Sequence, residues 1–378
     1  MEARKKDKIR ILFTLPNLTT AGSGREMFNV VEQLDKSVFE PWIGIQKPGG
    51  SLYEEIEMKG YPILVAPFLV SESSGIKEKL VKARQYAKAF IPYNFQVWQS
   101  FNWSSDFTEA LVARWAGARY VYVKKNMNWN RLAWKLKSLL SYAIVARNSD
   151  LVRNYFSTWY FKGKAYLITG GVAAERFAPQ ARNNVRQQFG IPEDAYLVCC
   201  VAQLVRIKDQ LTLIRAVAEV PHAYLVLAGA TRDEAYLKEV NDLIAELKMH
   251  NQVRVPGPVA DVNALLNASD IFVLPTGTLL GHEEGCPVAL LEAMAAGVPC
   301  IASNVAGSRD LINDDTTGLL FDPGNHQQLV HQIKRYKADP VFARQMAVRA
   351  REQVKAKHTL QKEGEAFANM YLNIVGRR

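Results

Sequence analysis

Residues 284–302 read EGCPVALLEAMAAGVPCIA, and this stretch decides how the fold of the second half of the chain is interpreted. It follows a short apolar run, Ile271 to Pro275, that is typical of a buried strand. Pro287 is suited to a first helical turn and Gly297 to the residue after a helix, so the stretch predicts a helix from Pro287 to Ala296. The order strand, loop, helix places the N-terminus of this helix at the end of a strand.

A helix N-terminus in that position is an anion site, because its free N–H groups and the positive end of its dipole point into the loop. Gly285, Cys286 and Val288 supply the backbone donors. Glu284 lies beside the anion, and Glu292 lies roughly 8 Å further along the helix. One acid is then placed to meet a sugar and the other a ribose. The alternative is an ordinary surface helix with an acid in its first turn.

The stretch resembles the E-x(7)-E motif of the family 4 retaining glycosyltransferases, in which the second glutamate is followed by A-M-A-x-G-x-P. The shared residues are Glu284, Gly285, Pro287, Glu292, Ala293, Met294, Ala295, Gly297, Pro299, Ile301 and Ala302. Cys286 and Cys300 depart from the motif. The resemblance implies a hexosyltransferase that moves a sugar from a nucleotide-diphosphate donor to a hydroxyl acceptor with retention, in cell-surface polysaccharide or glycolipid synthesis.

Strand-like apolar runs alternate with helical patterns along the whole chain, which predicts parallel βαβ winding in two sheets. The predicted strands are 9–16, 42–46, 63–67, 95–100, 120–124, 142–147 and 165–169, then 196–204, 223–229, 252–257, 271–275, 299–303 and 318–322. The predicted fold class is therefore α/β, with two Rossmann-like doubly wound domains. The family resemblance implies that they face a cleft in the GT-B architecture. We expect an N-terminal acceptor domain at 1–175, a donor domain at 176–357 and a C-terminal helix at 358–378 that crosses back.

Composition sets the broad class of the protein. The 378 residues, 48% of them hydrophobic and 22% charged, predict two globular domains without a membrane-spanning run. The chain has four cysteines without zinc-ligand spacing, which we expect to be reduced. These features predict a cytoplasmic protein, with peripheral attachment to the inner face of the membrane as an open alternative.

A second candidate element is the loop after strand 196–204, which carries Arg206 and Lys208. It resembles the family's V-G-R-L-x-x-x-K-G pattern, with Lys208 at the lysine position and Gln203 at the arginine position, so Arg206 is a substitute for the missing arginine. These cations are predicted to stabilise the leaving diphosphate, and Glu284 to orient the sugar. The chain contains no D-x-D pair, so we expect metal-independent transfer with the nucleotide sugar as co-substrate and no cofactor.

The first domain offers weaker candidates. Gly22 and Gly24 are predicted to let backbone amides approach the distal phosphate of the donor from a turn before a helix, or to form a simple connection. Lys124, Lys125 and Asn126 are predicted on the acceptor side, or as a solvated strand end. Residues 1–175 contain no histidine, so a histidine base is excluded there. In the expected mechanism the diphosphate itself accepts the proton of the attacking hydroxyl.

The excess positive charge lies in the first domain, where residues 1–175 have 25 Lys and Arg against 15 Asp and Glu. It is concentrated between Arg119 and Lys164 and predicts attraction to an anionic membrane or to an anionic acceptor. Residues 131–140 predict an amphipathic helix with its leucines packed on the sheet and with Lys135 and Lys137 outside, or a helix lying on anionic lipid.

The partners expected from the sequence are a nucleotide-sugar donor and a carbohydrate or lipid-linked acceptor, with an anionic membrane surface as a further candidate. No nucleic-acid partner is expected, because interleaved aromatic and glycine residues are lacking. Two other functions remain open, a sugar-nucleotide epimerase or hydrolase, and a non-enzymatic basic scaffold.

Overall fold

The computed structural model describes residues 8–19, 21–180, 184–278 and 285–376. The chain divides into two compact units, Met1–Thr169 with Leu360–Arg378, and Gly170–Thr359. No described helix has both the length and the apolar composition that crossing a membrane requires.

The first unit contains a parallel sheet of seven strands. They are β1 (Ile9–Thr14), β2 (Phe39–Ile45), β3 (Ile63–Val65), β4 (Val97–Ser100), β5 (Arg119–Lys124), β6 (Ala143–Ala146) and β7 (Ala165–Leu167). Their order in the sheet is β3-β2-β1-β4-β5-β6-β7. The helices between them are α1 (Ala21–Gln33), α2 (Ser51–Met58), α3 (Ile76–Ala87), α4 (Thr108–Trp115), α5 (Leu132–Leu140) and α6 (Ser149–Tyr155), with a 3₁₀ turn at Ile91–Tyr93.

The second unit contains a parallel sheet of six strands. They are β8 (Tyr196–Val201), β9 (Ala223–Ala228), β10 (Val253–Gly257), β11 (Ile271–Leu274), β12 (Cys300–Ser303) and β13 (Leu319–Phe321). Their order is β10-β9-β8-β11-β12-β13. The helices are α7 (Val185–Gln188), α8 (Gln210–Ala218), α9 (Glu234–Glu246), α10 (Val262–Ala268), α11 (Val288–Ala295), α12 (Ala306–Arg309), α13 (His326–Ala338) and α14 (Pro340–Lys357), with a 3₁₀ turn at Arg206–Lys208.

Every strand predicted from the sequence has a counterpart in these two sheets, and the described strands pair in parallel. The central strands are apolar along their length because helices cover both faces of a parallel sheet. In β8, for example, Leu197, Val198 and Cys199 are fully buried one after another. The predicted α/β class with two Rossmann-like sheets is thus confirmed.

The last helix, α15 (Leu360–Gly376), belongs to the first unit. Its buried face, Phe367, Met370, Tyr371 and Ile374, follows helical spacing and joins the core of the first unit. Gly364 lies directly against the side chain of Gln33 at the end of α1, where an added Cβ has no room. The absence of a side chain at Gly364 is therefore what lets the two helices approach closely.

The carboxylate of Glu109 is buried beside the two central strands of the first unit. It accepts hydrogen bonds from Thr14 Oγ1 (2.5 Å), Trp98 Nε1 (3.1 Å), Ser100 Oγ (2.7 Å) and Tyr120 Oη (3.2 Å). Four donors compensate the cost of removing this charge from water. This buried carboxylate ties β1, β4 and β5 to α4.

The orientation of α5 differs from the expectation. Trp134, Lys137 and Ser138 are its buried residues, whereas Leu132 and Leu136 are exposed. The predicted outward position of Lys137 is wrong, because its ammonium donates to Ser104 O at 3.0 Å and lies 5.0 Å from the centre of the Tyr122 ring. Carbonyl groups and aromatic rings inside the unit therefore hold this lysine inward.

Candidate functional site

The second sheet reverses its winding direction between β8 and β11. The chain moves from β8 outward through β9 and β10, then returns to β11 on the other side of β8 and continues through β12 to β13. The two strands pair directly, with Ile271 opposite Val198. The loops after β8 and β11 leave in opposite directions, so a crevice opens at their carboxyl ends, where open α/β sheets bind ligands.

The two loops are joined by their backbones at this crevice. Gly277 N, after β11, donates a hydrogen bond of 2.8 Å to Ile207 O, in the turn after β8. An added Cβ at Gly277 would lie 3.6 Å from Asp209 Cβ, so the packing there is also close. The carbonyl of buried Thr276 accepts from Ser303 Oγ, at the end of β12, at 2.5 Å. The structure therefore brings together two segments that the sequence assigned separately to one sheet edge.

Asp209 determines how the cation-bearing turn ends. Its backbone is left-handed, with φ 46°, and its side chain caps α8 by accepting from Thr212 N (3.4 Å) and Thr212 Oγ1 (2.7 Å). Burial raises the pKa of Asp209, and the two hydrogen bonds from Thr212 oppose that rise. The cap fixes the backbone of residues 206–208 at the crevice.

The two predicted cations of this turn have different surroundings. Arg206 is exposed and makes a bidentate ion pair with Glu239 of α9, with Nη1 to Oε2 at 2.7 Å. Its guanidinium also lies 5.7 Å from the centre of the Tyr236 ring. Arg206 must therefore leave Glu239 before it can bind a phosphate. Lys208 is half-buried in the same turn.

The N-terminus of α11 has no side-chain cap among the described residues. The helix begins at Val288, one residue later than predicted, and Pro287 is its N-cap without a capping side chain. Because Pro287 precedes the helix, the missing proline N–H is not one of the helical donors. Gly285 is buried and Val288 is 44% exposed. Cys286 is half-buried, and its Sγ accepts a hydrogen bond from Gly170 N at 3.3 Å.

Glu292 lies in the second turn of α11 and is mostly buried. Burial raises its pKa to about 7, although the positive charge of Arg176 acts in the opposite direction. Both forms of this carboxyl are therefore populated near neutral pH. Arg176 was not among the predicted site residues, because the sequence shows it only as one cation in the segment after Gly170.

Glu284, predicted to orient the sugar, lies outside the described residues, as does the neighbouring Glu283. Within the described ranges, no three His, Cys, Asp or Glu side chains converge as metal ligands do.

In the first unit, the predicted glycine turn is part of a helix. Gly22 and Gly24 both lie in the first turn of α1, so the prediction that they form a turn before the helix is wrong. At Gly24 an added Cβ would come within 2.6 Å of Leu52 Cδ2, so this glycine serves the packing of α1 on α2. Gly22 has open space around it and remains the candidate for anion approach.

The predicted acceptor-side cations are engaged inside the first unit. Lys125 Nζ lies 2.6 Å from Glu26 Oε2 and 2.9 Å from Ser23 Oγ. Burial alone would raise the pKa of Glu26, but the charges of Arg147 and Lys125 hold it at about 2. Burial also lowers the pKa of Lys125, and Glu26 opposes that shift. Arg147 extends the network to Glu363 of α15, at 2.6 Å.

Lys124 is fully buried at the end of β5. Its Nζ donates to Asn126 Oδ1 (2.7 Å) and Asn128 O (2.8 Å) and lies 3.6 Å from the centre of the Trp134 ring. Burial, followed by the charge of Lys137, lowers the pKa of Lys124 to about 6. Asn126 is thus a hydrogen-bond partner of Lys124, and the alternative of a solvated strand end is wrong for Lys124 because its side chain is buried.

Comparison with known proteins relates most of the second unit to a family. Residues 181–353 match the family model described as glycosyl transferases group 1. The matched residues contain β8 to β13 together with Lys208, Arg206 and Glu292, so the predicted resemblance to this family is confirmed for this part of the chain.

Two curated relatives illustrate the similarity of sequence. The GDP-mannose-dependent monoacylated alpha-(1-6)-phosphatidylinositol monomannoside mannosyltransferase of Corynebacterium glutamicum is 28% identical over 54% of this chain and 55% of its own length. The GDP-mannose-dependent alpha-(1-6)-phosphatidylinositol monomannoside mannosyltransferase of Mycolicibacterium smegmatis is 28% identical over 64% of this chain and 66% of its own length. The alignments thus span about half to two thirds of these relatives.

Two solved structures illustrate the similarity of fold. A glycosyltransferase from Rickettsia africae ESF-5 superposes with a TM-score of 0.85 at 21% identity, covering 98% of this chain and 100% of that one. HepE from Anabaena, solved with UDP and glucose, superposes with a TM-score of 0.81 at 18% identity, covering 97% and 100%. At these identities the similarity concerns the fold alone, and it agrees with the predicted GT-B class.

Proposed function

We propose that this chain is a retaining, metal-independent glycosyltransferase that moves a sugar from a nucleotide-diphosphate donor to a hydroxyl group of a carbohydrate or lipid-linked acceptor. The supporting observation is the hydrogen bond between Gly277 N and Ile207 O. It joins the turn that carries Lys208 to the loop after β11, at the carboxyl edge where such sheets bind ligands. The helix that follows this loop in the chain, α11, offers a second element suited to a diphosphate.

The proposed chemistry is charge stabilisation at the leaving group. The bond between the anomeric carbon and the diphosphate oxygen breaks, and the acceptor oxygen bonds to that carbon on the same face. The acceptor proton passes to the departing phosphate oxygen. Lys208 and the backbone N–H groups at the N-terminus of α11 neutralise the developing negative charge. Glu284 orients the sugar hydroxyls, and Glu292 accepts hydrogen bonds from the ribose.

The names of the curated relatives support the substrate classes. The two mannosyltransferases are named for a nucleotide-sugar donor and for a glycolipid acceptor. A third relative, from Escherichia coli, is named as a galactosyltransferase that uses UDP-Gal and a diphosphoundecaprenol-linked acceptor. Donors of two different bases occur among these names, so the class of donor carries over to this proposal and the base does not.

The first test separates binding from turnover. Purified chain is screened by thermal shift against nucleotide diphosphates and their sugars, and the stabilising pair is used with candidate acceptors. Lys208→Gln should weaken nucleotide-diphosphate binding by roughly 10- to 100-fold, because a charge-assisted contact is lost. Glu284→Ala should retain nucleotide binding and lose turnover. The matched control is Lys238→Gln, an exposed cation of α9 in the same unit, which should change neither.

Three outcomes would overturn the proposal. Rapid breakdown or epimerisation of the donor without acceptor would identify a hydrolase or epimerase. Loss of turnover in EDTA, restored by a divalent ion, would contradict metal independence. An inverted anomeric configuration of the product, measured by the proton coupling constant at the anomeric carbon, would contradict retention.

A further inference from the structure

A basic cavity of about 560 Å³ opens in the first unit, away from the carboxyl edge of its sheet. The residues around it lie where β5, β6 and β7 begin, which is the amino-terminal edge. Its lining contains four cations and, among the described residues, no carboxylate; the cations are Arg114, Arg119, Lys162 and Lys164. This cavity belongs to the first unit, whereas the candidate donor site belongs to the second.

In this cavity, the hydrogen bonds of Lys164 and the ring contact of Arg119 are with neutral groups, not with carboxylates. Lys164 Nζ donates to Ser141 O at 3.2 Å and to Leu139 O at 3.4 Å. The guanidinium of Arg119 lies 5.3 Å from the centre of the Tyr142 ring. Within the part of the chain that the structure describes, none of the four cations forms an ion pair. Their positive charge is therefore available to a phosphate group.

An apolar helix face adjoins the cavity. Leu132, Leu136 and Leu139 follow one another at helical spacing on α5 and are 69%, 36% and 50% exposed. Leu139 also lines the cavity. The helix runs from the loop after β5 to the start of β6, so the face from Leu132 to Leu139 extends roughly 10 Å along the sheet, with the cations at its C-terminal end.

An aromatic pair precedes the cavity's lysines in the chain. Trp159 and Tyr160 are 77% and 52% exposed, with ring centres 4.0 Å apart. Lys162 follows two residues later and lines the cavity. Tryptophan and tyrosine are favoured at membrane–water interfaces, where an apolar ring with a polar group suits the headgroup region.

We propose that the cavity and the leucine face of α5, here called the α5 surface, dock on an anionic lipid bilayer, with a lipid phosphate in the cavity and the leucines at the boundary of the acyl chains. Charge complementarity selects this occupant, because unpaired cations next to exposed leucines match a surface that is anionic outside and apolar beneath. The carboxyl edge of the sheet then lies at the other end of α5, within reach of the same bilayer.

A second helix of the first unit provides the contrast. On α3, Ile76, Leu80 and Val81 are exposed to a similar extent. Lys82 is paired, with its Nζ 2.5 Å from Glu78 Oε1, whereas Lys77, Lys79 and Arg84 form no ion pair among the described residues. No residue of α3 lines the basic cavity, so this helix has exposed apolar side chains away from the cavity and serves as the matched control for the α5 surface.

The test is co-sedimentation of the full chain, without donor, with vesicles of phosphatidylcholine alone or mixed with phosphatidylglycerol. We expect binding to the mixed vesicles, weakened by salt, and little binding to phosphatidylcholine. Leu132→Gln/Leu136→Gln/Leu139→Gln and Arg114→Gln/Lys162→Gln should each reduce binding about tenfold or more. Ile76→Gln/Leu80→Gln/Val81→Gln should leave it unchanged. Circular dichroism and thermal melting check that each variant is folded.

The native chain offers a second measurement that needs no disruptive variant. Lipids with brominated acyl chains should quench tryptophan fluorescence in the mixed vesicles, and Trp159→Phe should remove most of that quenching. Unchanged quenching in this variant would place the contact elsewhere.

Other outcomes also overturn the proposal. They are equal binding to both vesicle types, loss of binding only in the α3 variant, and absence of vesicle binding. A further one is a thermal shift with inorganic phosphate that depends on Lys162 while vesicles have no effect, because the cavity would then serve a soluble anion. Docking is measured without donor, so its failure is distinguishable from failure of the proposed transfer reaction.

Discussion

We expect nucleotide binding by the native chain to depend on pH, and Glu292→Gln to abolish that dependence. Burial places the pKa of Glu292 at about 7 in the free protein. Only the carboxylate can accept hydrogen bonds from two ribose hydroxyls, so the binding-competent fraction equals the ionised fraction. That fraction rises from about one tenth at pH 6 to about nine tenths at pH 8, so affinity should rise roughly tenfold over this range.

The same pKa has a consequence for folding, with the opposite sign. The folded-state pKa lies above the ordinary value of 4.5, so between these two values the folded chain binds more protons than the unfolded chain. Stability contributed at this residue is therefore present below about pH 4.5 and is lost as pH rises toward 7. After a reduction for partial solvent screening, the loss is on the order of 2 kcal/mol, and Glu292→Gln should be free of it.

Isothermal titration calorimetry with UDP and GDP at pH 6, 7 and 8 measures the effect. The terminal phosphate of the nucleotide also titrates, at about pH 6, but it does so equally with the native chain and with the Glu292→Gln variant. The difference between their two slopes is therefore the contribution of this carboxyl. Glu246→Gln, an exposed acid of α9 in the same unit, should behave as the native chain does. Equal slopes in the native chain and Glu292→Gln would refute the assignment of Glu292 to the ribose.

Three further substitutions test individual contacts. Glu109→Gln removes a buried carboxylate that accepts four hydrogen bonds, and it should lower the free energy of unfolding by about 3 kcal/mol in urea titration; a loss below about 1 kcal/mol would contradict the network. Gly229→Ala should cost at least about 2 kcal/mol by the same measurement, because φ is 153° and an added Cβ meets the carbonyl of Ala202. Glu239→Gln frees Arg206 from its ion pair and should tighten nucleotide-diphosphate binding, by a few-fold at most because the pair is exposed; unchanged affinity would show that Arg206 does not contribute to the phosphate site.

The sequence predicted the sheets well because the physical signal was local. A parallel strand covered by helices on both faces must be apolar along its length, so each strand is visible as a short run bounded by turn residues. The edge at which the loops meet then follows from the parallel order alone. The crevice between β8 and β11 could therefore be anticipated, although the hydrogen bond from Gly277 to Ile207 could not.

The helix contacts were less predictable because they depend on partners distant in the chain. A glycine before a helix is typical of both an anion-binding turn and a close packing site, and only the position of Leu52 distinguishes the two for Gly24. The leucines of α5 are likewise typical of a buried face. Lys137 is buried instead because the carbonyls of residues 102 and 104 accept hydrogen bonds from its ammonium group, and sequence periodicity does not contain that information.

In the first unit, the place where an anion can bind depends on which cations are already compensated, more than on the total positive charge. At the carboxyl edge, Lys124 and Arg147 are buried and Lys125 is half-buried, and all three are satisfied by neighbouring side chains and carbonyls. Those at the amino-terminal edge, including Lys162 and Arg119, face a cavity without a carboxylate among its described residues. An anionic surface is therefore attracted to the edge away from the expected acceptor side, and α5 connects the two edges. It follows that added salt should release the chain from anionic vesicles without weakening the binding of an uncharged acceptor, since only the interaction with the vesicles depends on unpaired charge.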